Sequence, residues 1–465
     1  MGVRWLNYSL FGIAHHAFVR FDVKYCVTRR NINFDKCKKL NDLFSVVNGL
    51  SLTQYYTTEK TNKPYIRISD LSYYDAISKD DIIYLEESCI INTDKELQSD
   101  DLIFSTIGSV GKINRAEGFS GGTFSNNTVV LRLKEKSNSK FYELLFRSDF
   151  VQNIIKGYVS QKLQPNLQDY DLKNLPIPLV SETIQNIIVD QIKPIEEEIS
   201  VLKSSQTPHI DIINKVFGQE LGFDWKEFEM VKKKKIYSLN LKNSSDSVDY
   251  RLGCRFHQPA AKYVMDFMSK HTNKRIKDFC SEPICLGASL SPSDYDESGE
   301  YKYVAMSSFP KWELNIEDSK NVSDEYAQKN QNKTLQKGDI VLARSGEGTI
   351  GKVALVNDDN IKAVFADFTQ RIRLKNYNTT FAYYYFRSLF FQYLVYKEKK
   401  GLGNNTNIFP SQIQEFPIPD YSLDKQQEIV SKIETRINAQ KDIDIQIDEK
   451  RKEISRLIED VIKQV

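Results

Sequence analysis

Gly346-Glu-Gly-Thr-Ile-Gly351-Lys352 nearly spells a phosphate-cradling loop. That loop needs a hydroxyl residue after its lysine to hold magnesium, and a helix whose N-terminus meets the phosphate. Here Val353 follows, and Lys352-Val-Ala-Leu-Val356 reads as a strand. The first-half counterpart, ending at Lys112, has no glycine at the first motif position. The segment is therefore read as strand, turn, strand, with glycine supplying tight backbone geometry. Lys112 and Lys352 then project from turn tips, where a cation meets a phosphate. Glu398-Lys-Lys400 contains the Glu-x-Lys of a common nuclease core, but no acidic partner follows at local spacing. His15, His16, His209, His257 and His271 stand near no recognisable nucleophile motif. The six cysteines, Cys26, Cys37, Cys89, Cys254, Cys280 and Cys285, include no Cys-x-x-Cys pair, and no histidine pair sits at zinc spacing. They read as reduced, mostly buried thiols. No Asn-Pro-Pro-aromatic or Asp-Pro-Pro-aromatic segment, the pattern of base amino-methylation, is present, and no Gly-x-Gly opens a βαβ unit. The reading is of a chain without catalytic residues or a metal site.

The elements that hold these turns occur twice. Tyr65-Ile-Arg-Ile-Ser-Asp-Leu71 returns as Tyr303-Val-Ala-Met-Ser-Ser-Phe309. Asp101 to Lys112 returns as Asp339 to Lys352, with two extra residues. Leu145-Phe-Arg-Ser-Asp-Phe-Val-Gln152 matches Tyr385-Phe-Arg-Ser-Leu-Phe-Phe-Gln392, and Asp171-Leu-Lys-Asn-Leu-Pro-Ile-Pro178 matches Gln412-Ile-Gln-Glu-Phe-Pro-Ile-Pro419. The matches keep one order and an offset of about 240 residues, far beyond a solenoid period, so a domain is duplicated. Short apolar strands are expected at Leu102 to Thr106, Thr128 to Leu133, Ile340 to Ala343 and Gln370 to Leu374. One short helix per half is expected, at Lys140 to Lys156 and at Thr380 to Lys397.

After each Pro-Ile-Pro, glycine gives way to Ile, Glu, Lys and Gln. Ile188, Ile192, Ile195, Ile199 and Leu202 alternate steps of four and three, and the series continues through Gln206 and His209 to Ile213 and Val216. Ile429, Ile433, Ile443, Ile447, Ile454, Leu457 and Val461 form a second seam, with Arg436, Gln440 and Lys450 as polar members. A period of 3.5 marks a helix that pairs with another helix. Pro194 is expected to kink the first helix, with a break at Thr207-Pro208, Thr207 as N-cap and Pro208 as the first helical residue. The second helix, from about Asp424 to Gln464, spans on the order of 60 Å. The expected organisation is α+β: mixed α/β globular domains at 1–180 and 250–421, a helical spacer at 181–217, a lysine-bearing linker at 218–249 and a spacer helix at 422–465, the two helices packing as an antiparallel coiled coil.

The 465 residues are too many for one ordinary core. Charged residues make up 27% and hydrophobic ones 40%, which is a soluble, globular balance. No apolar run reaches the roughly 18 residues of a membrane span. The first 20 residues lack the marks of a signal peptide, so a cytoplasmic protein is expected. A net charge of +2 is weak for a nucleic-acid binder. The 25 Tyr and 26 Phe suit strand-rich domains.

The doubled pattern resembles the specificity subunits of type I restriction-modification systems. The resemblance rests on Asp101 to Lys112 and Lys337 to Lys352, on Gln164-Pro-Asn-Leu167, Asp171-Leu172 and Pro176-Ile-Pro-Leu179, and on the glutamine-rich helix start at Lys425-Gln-Gln-Glu428. It covers nearly the whole chain. Departures are Asn407-Ile-Phe-Pro410, the Gly401 to Asn405 stretch and the degenerate helix start at Glu182.

The resemblance implies a non-catalytic DNA reader with two unlike heads on a helical spacer. It implies two methyltransferase subunits as partners, using S-adenosylmethionine, and restriction-translocase subunits using ATP and magnesium. The chain itself would bind no cofactor, and its partners would supply much of the basic groove. The expected DNA contacts are Ser109, Lys112, Arg344, Ser345 and Lys352 on the turns, and Lys162, Gln164, Asn166, Asn404, Asn405 and Asn407 on the loops. Arg67, Tyr73 and Tyr74 follow. The alternatives are a recognition subunit of a related or solitary adenine-methylation system, a self-contained methyltransferase or nuclease, and a scaffold with no DNA role.

Overall fold

Leu102-Ile-Phe-Ser105 is buried at every position, although a half-exposed strand would alternate. Both its faces are covered. Leu102 and Phe104 share a core with Phe141 and Leu145, whereas Ile103 shares one with Ile66, Phe124 and Val130. Ile340 to Ala343 repeats this: Ile340 and Leu342 in one core, Val341 and Ala343 in another. A two-faced central strand with a sheet on one side and helices on the other is the organising feature of each half.

The computed structural model describes residues 34–159, 165–238, 251, 253–317, 319–346, 348–402 and 405–464. The expectations at Lys162, Gln164 and Asn404 lie outside the described residues, as do Cys26, His15 and His16. The chain divides into two units, Met1–Ser205 with Ile443–Val465, and Gln206–Asp442.

The first unit carries β1 (Phe44–Asn48), β2 (Tyr56–Thr57), β3 (Pro64–Ile66), β4 (Ile83–Leu85), β5 (Leu102–Ser105), β6 (Ile113–Arg115), β7 (Thr123–Phe124) and β8 (Thr128–Leu133). One sheet is antiparallel in the order β1-β8-β5-β6. The other runs β2-β4-β3-β7, with β3 parallel to β7 and Tyr65 opposite Thr123. The second unit carries β9 (Cys285–Leu286), β10 (Tyr301–Val304), β11 (Asn321–Val322), β12 (Ile340–Ala343), β13 (Val353–Leu355), β14 (Ala363–Phe365) and β15 (Thr369–Ile372). Its sheets run β9-β15-β12-β13 and β11-β10-β14, with β10 parallel to β14. The duplicated sequence thus folds into a duplicated topology.

The helices of eight or more residues are α1 (Ser139–Arg147), α2 (Asp149–Tyr158) and α3 (Glu182–Ser205) in the first unit. In the second they are α4 (His209–Leu221), α5 (Trp225–Lys232), α6 (Pro259–His271), α7 (Thr379–Arg387) and α8 (Leu389–Glu398). The last helix, α9 (Leu423–Gln464), begins in the second unit and ends in the first. Its 42 residues span about 63 Å. Each expected single helix of a recognition domain is in fact two. Ser148 and Ser388 stand between them with extended backbones, and their hydroxyls donate to Leu145 O at 2.7 Å and Tyr385 O at 2.6 Å. A serine hydroxyl offers the backbone an alternative to the helical ladder, and the chain turns there.

Within each unit the long helices pair antiparallel. In the first, Ile188 and Ile192 share a core with Ile458, and Ile195 and Ile199 pack with Ile447. In the second, Ile213, Val216 and Phe217 join Ile429, Val430, Ile433 and Ile437. Leu202, Ile443, Ile454, Leu457 and Val461 are partly buried at these contacts. Two seam assignments shift. Arg436 is exposed and Ile437 is 5% exposed, and Ile458 is fully buried beside a half-buried Leu457. A straight helix turns every 3.6 residues, so a strict 3.5 register drifts off the contact.

Pro208 rather than Thr207 caps α4, and Thr207 N donates to Gln440 Oε1 at 2.6 Å instead. The segment from residue 218, expected to be a linker, is helical and packed as far as Lys232. Gly222 ends α4 in the left-handed region at φ 68°, and Phe223 and Phe228 enter the second unit's core. Lys232 to Lys235 is exposed beyond it.

Candidate nucleic-acid interface

The acidic residue that opens each glycine-bearing segment is an anchor. Asp101 is 1% exposed; it accepts from Gln98 N at 2.8 Å and pairs with Arg132 Nε and Nη2 at 2.8 and 2.7 Å. Asp339, fully buried, accepts from Gln336 N at 2.9 Å and pairs with Arg373 at 2.7 and 2.8 Å. These carboxylates fix the start of β5 and β12 and thereby the turns that follow.

The turn after β5 closes on itself. Ser105 Oγ donates to Ser109 O at 2.6 Å, Lys112 N donates to Ser105 Oγ at 2.9 Å, and Gly108 and Gly111 have φ of 73° and 94°. After β12, Thr349 Oγ1 donates to Ser345 O at 2.6 Å, and Gly346 and Gly351 have φ of 83° and 87°. Gly351 N returns to Ala343 O at 2.9 Å and Val353 begins a strand, so this is a turn between strands and not a phosphate-cradling loop. Each turn is held from below by a glutamine. Gln152 Nε2 donates to Gly111 O and Phe146 O at 2.9 and 2.7 Å, and Gln392 Nε2 donates to Gly351 O and Phe386 O at 2.8 and 2.7 Å. These glutamines were visible as the ends of a repeated segment, but their role needed the fold.

A second loop lies against each turn. Gly108 N donates to Pro165 O at 2.8 Å and Leu167 N to Thr106 O at 2.9 Å, setting Ile107 opposite Asn166. In the second unit Gly346 N donates to Thr406 O at 3.1 Å and Ile408 N to Arg344 O at 2.9 Å, setting Ser345 opposite Asn407. Asn407 therefore occupies the place of Asn166, and the Asn407-Ile-Phe-Pro410 departure is a shift of two residues in the alignment. Arg344 Nη2 reaches Asn407 Oδ1 at 3.4 Å, with its guanidinium 5.4 Å from the Phe409 ring. Turn and loop residues far apart in sequence thus form one surface in each unit.

Ser109 and Asn405 are exposed on these surfaces, and Lys112, Asn166, Arg344, Ser345, Lys352 and Asn407 are half-buried. Lys112 Nζ lies 3.4 Å from Ile68 O. The three weaker candidates sit differently. Arg67 is committed to Asp70 through Nε at 3.1 Å and Nη2 at 2.7 Å. Tyr73 reaches the first turn, but its hydroxyl donates to Val110 O at 2.9 Å. Tyr74 stands away from the turn, with the Arg451 guanidinium 4.5 Å from its ring. Its neighbour Asp75 pairs with Lys203 and, at 3.2 Å, with Arg451. Burial raises the Asp75 pKa, but Lys203 and Arg451 outweigh it and hold the carboxyl below its ordinary range. At Glu398-Lys-Lys400, Glu398 is engaged by Arg251 at 2.9 Å and Lys397 at 3.0 Å, forming an ion-pair cluster.

Two stretches, residues 35–207 and 268–452, match the family model of the type I restriction modification DNA specificity domain. The chain belongs to that family. Each matched stretch contains one pair of sheets with its turn and loop, followed by a long helix, so the two specificity domains of the family coincide with the duplication. Among solved structures, the chain is similar to one from a type I R-M system studied for complex assembly and conformational transition, at 17% identity and a TM-score of 0.44, covering 92% of this chain and 96% of that one. It is also similar to the type I S subunit from M. genitalium, at 14% identity, a TM-score of 0.36 and coverage of 92% and 94%. The HsdS subunit from Thermoanaerobacter tengcongensis shows 16% identity, a TM-score of 0.31 and coverage of 92% and 95%. No curated protein matches. As a type I DNA specificity chain, this protein has sequence recognition as its task. No helix among the described residues is long and apolar enough to cross a membrane.

Proposed function

We propose that the chain reads a bipartite DNA target, one half-site per recognition domain, as the non-catalytic subunit of an adenine-methylating and restricting complex. Two methyltransferase subunits dock on it and transfer methyl groups from S-adenosylmethionine. Restriction-translocase subunits that use ATP and magnesium join them. The chain itself holds no cofactor.

The observation that carries this reading is the doubled pairing of turn and loop, Gly108 with Pro165 and Gly346 with Thr406. It presents two surfaces of the same build but different residues, so the two half-sites differ. Arg344, Asn407 and Asn166 suit bidentate contacts to base edges in the major groove. Lys112 and Lys352, at the turn ends, suit phosphates, which set register without reading sequence.

In the assembled complex, Lys352→Ala is expected to weaken binding across all DNA sequences and to lower the salt slope by about one. Lys112→Ala should do less, because its ammonium already meets Ile68 O. Binding isotherms at several salt concentrations measure both. Unchanged affinity and slope in both variants would remove these turns from the phosphates.

A further inference from the structure

We infer that Tyr74 and Trp312 are positioning residues, which clasp each recognition domain to the helices of its own unit and so set how its turn meets DNA. The inference rests on the proposed bipartite reading and deepens it.

The two residues hold equivalent places. Each lies in the loop that leaves a short 3-10 helix, Ile68–Asp70 after β3 and Met306–Ser308 after β10. In each unit that loop returns to the arginine of the repeated Phe-Arg-Ser segment. Arg147 donates from Nη1 to Tyr74 O at 3.0 Å and from Nη2 to Asp75 O at 3.2 Å. Arg387 lies 5.8 Å from the Trp312 ring and donates to the Tyr383 hydroxyl at 2.9 Å, and that hydroxyl donates to Trp312 O at 2.7 Å.

The loop also touches the long helices and the turn. In the first unit, α9 supplies Arg451 to the Tyr74 ring and to Asp75, and α3 supplies Lys203 to Asp75. One residue earlier, Tyr73 donates to Val110 O inside the turn. Three consecutive residues therefore connect the candidate DNA-reading turn to α1, α3 and α9. In the second unit, Trp312 and Ile350 of the turn pack on the same core, which α4 and α9 also line.

Folding alone gives a poor account of these side chains. Tyr74 is 53% exposed, so its ring contributes little to the core. Trp312 has φ 67°, a left-handed conformation that a bulky residue rarely adopts and that tends to persist where its surroundings serve a function. The chemistry of the two clasps differs. The first is ionic and borders a cleft of about 1250 Å³, whereas the second is aromatic and borders one of about 390 Å³. Salt screens exposed charge pairs and leaves aromatic packing nearly untouched.

Two measurements on the chain assembled with its methyltransferase subunits test the inference. The first is amide hydrogen exchange, which needs no DNA. Raising the salt from 0.1 to about 0.5 M should speed exchange at 72–79 several-fold and leave 309–317 unchanged. Tyr74→Ala should speed exchange at 106–112 while leaving Leu102–Ser105 protected. The second is the rate of adenine methylation on duplexes carrying the mapped target with its native gap, or a gap one base pair shorter or longer. Tyr74→Ala and Trp312→Ala should each lower discrimination against the wrong gaps about tenfold. Tyr74→Phe and Trp312→Phe, which keep the rings, should restore it.

Unchanged exchange at 106–112 overturns the inference. So does unchanged gap discrimination in both alanine variants, or an equal loss in the phenylalanine variants, and either leaves the bipartite reading standing. A target without a gap fails that reading instead, and the exchange result then decides the clasp alone.

Discussion

Asp339→Ala is expected to cost about 3–5 kcal/mol of unfolding stability, the usual loss when one partner of a buried ion pair is removed. Asp339 is completely buried, and its two oxygens serve Arg373 and the Gln336 amide together. Alanine leaves the Arg373 guanidinium, only 21% exposed, with Glu282 at 3.2 Å as its remaining carboxylate. Arg132 in the first unit has Asp101 as its one ion-pair partner among the described residues, so Asp101→Ala should fall at the upper end of the range. Denaturant titration measures both. The double variant Asp339→Ala with Arg373→Met should recover part of the loss, since it leaves no orphaned charge. A loss below about 1 kcal/mol in the single variants would mean that the pairs do not hold the turns in place.

Gly287→Ala should be nearly as damaging, by about 3 kcal/mol, through overpacking against backbone. A methyl group there would lie 2.1 Å from Phe365 O and 2.2 Å from Ala366 O. Neither carbonyl is free to retreat. Ala288 N donates to Phe365 O at 2.9 Å, and Ala288 pairs with Ala366 in a parallel bridge. Gly49 repeats the arrangement against Ser125 O at 2.0 Å, with Leu50 bridged to Ser125. Both glycines let the chain pass directly against the end of a sheet-edge strand, β14 for Gly287 and β7 for Gly49, so Gly49→Ala should shift the denaturation midpoint by a similar amount. An alanine tolerated at either site with a loss under about 0.5 kcal/mol would contradict this close approach.

These two glycines also show where reading the chain residue by residue stops short. Asn48-Gly49-Leu50-Ser51-Leu52 and Leu286-Gly287-Ala288-Ser289-Leu290 share a Gly-x-Ser-Leu pattern too short to stand out as a repeat, and the longer matches begin only at Tyr65. The strands are readable because β5, β8 and β12 are short apolar runs bounded by turn residues, and the edges of these and of β15, Thr369-Gln-Arg-Ile372, lie within a residue or two of those expected. The breaks at Ser148 and Ser388 were hidden because apolar periodicity continues through them. The packing of 218–232 is hidden because a lysine run follows Phe223 and Phe228, and because the left-handed Gly222 breaks their spacing from Phe217 and Leu221 of α4.

The candidate interface was half visible. Its glycine-bearing turns announced themselves twice, but the seating of Asn166 and Asn407 against those turns is a tertiary fact. The capture of Arg67 by Asp70 lay three residues away in plain sequence, whereas the turning of Tyr74 toward Arg451 spans nearly the whole chain.

The central claim is that two unlike recognition domains each read one half of a single gapped target. Mapping methylated adenines on DNA modified by the assembled complex, before and after the paired change Arg344→Ala and Asn407→Ala, tests it most directly. The wild-type complex should modify a two-part motif with an unread gap, and the variant should relax base preference in one part while the other part and the gap stay as they were. A continuous motif, or a variant that relaxes both parts alike, would contradict the claim.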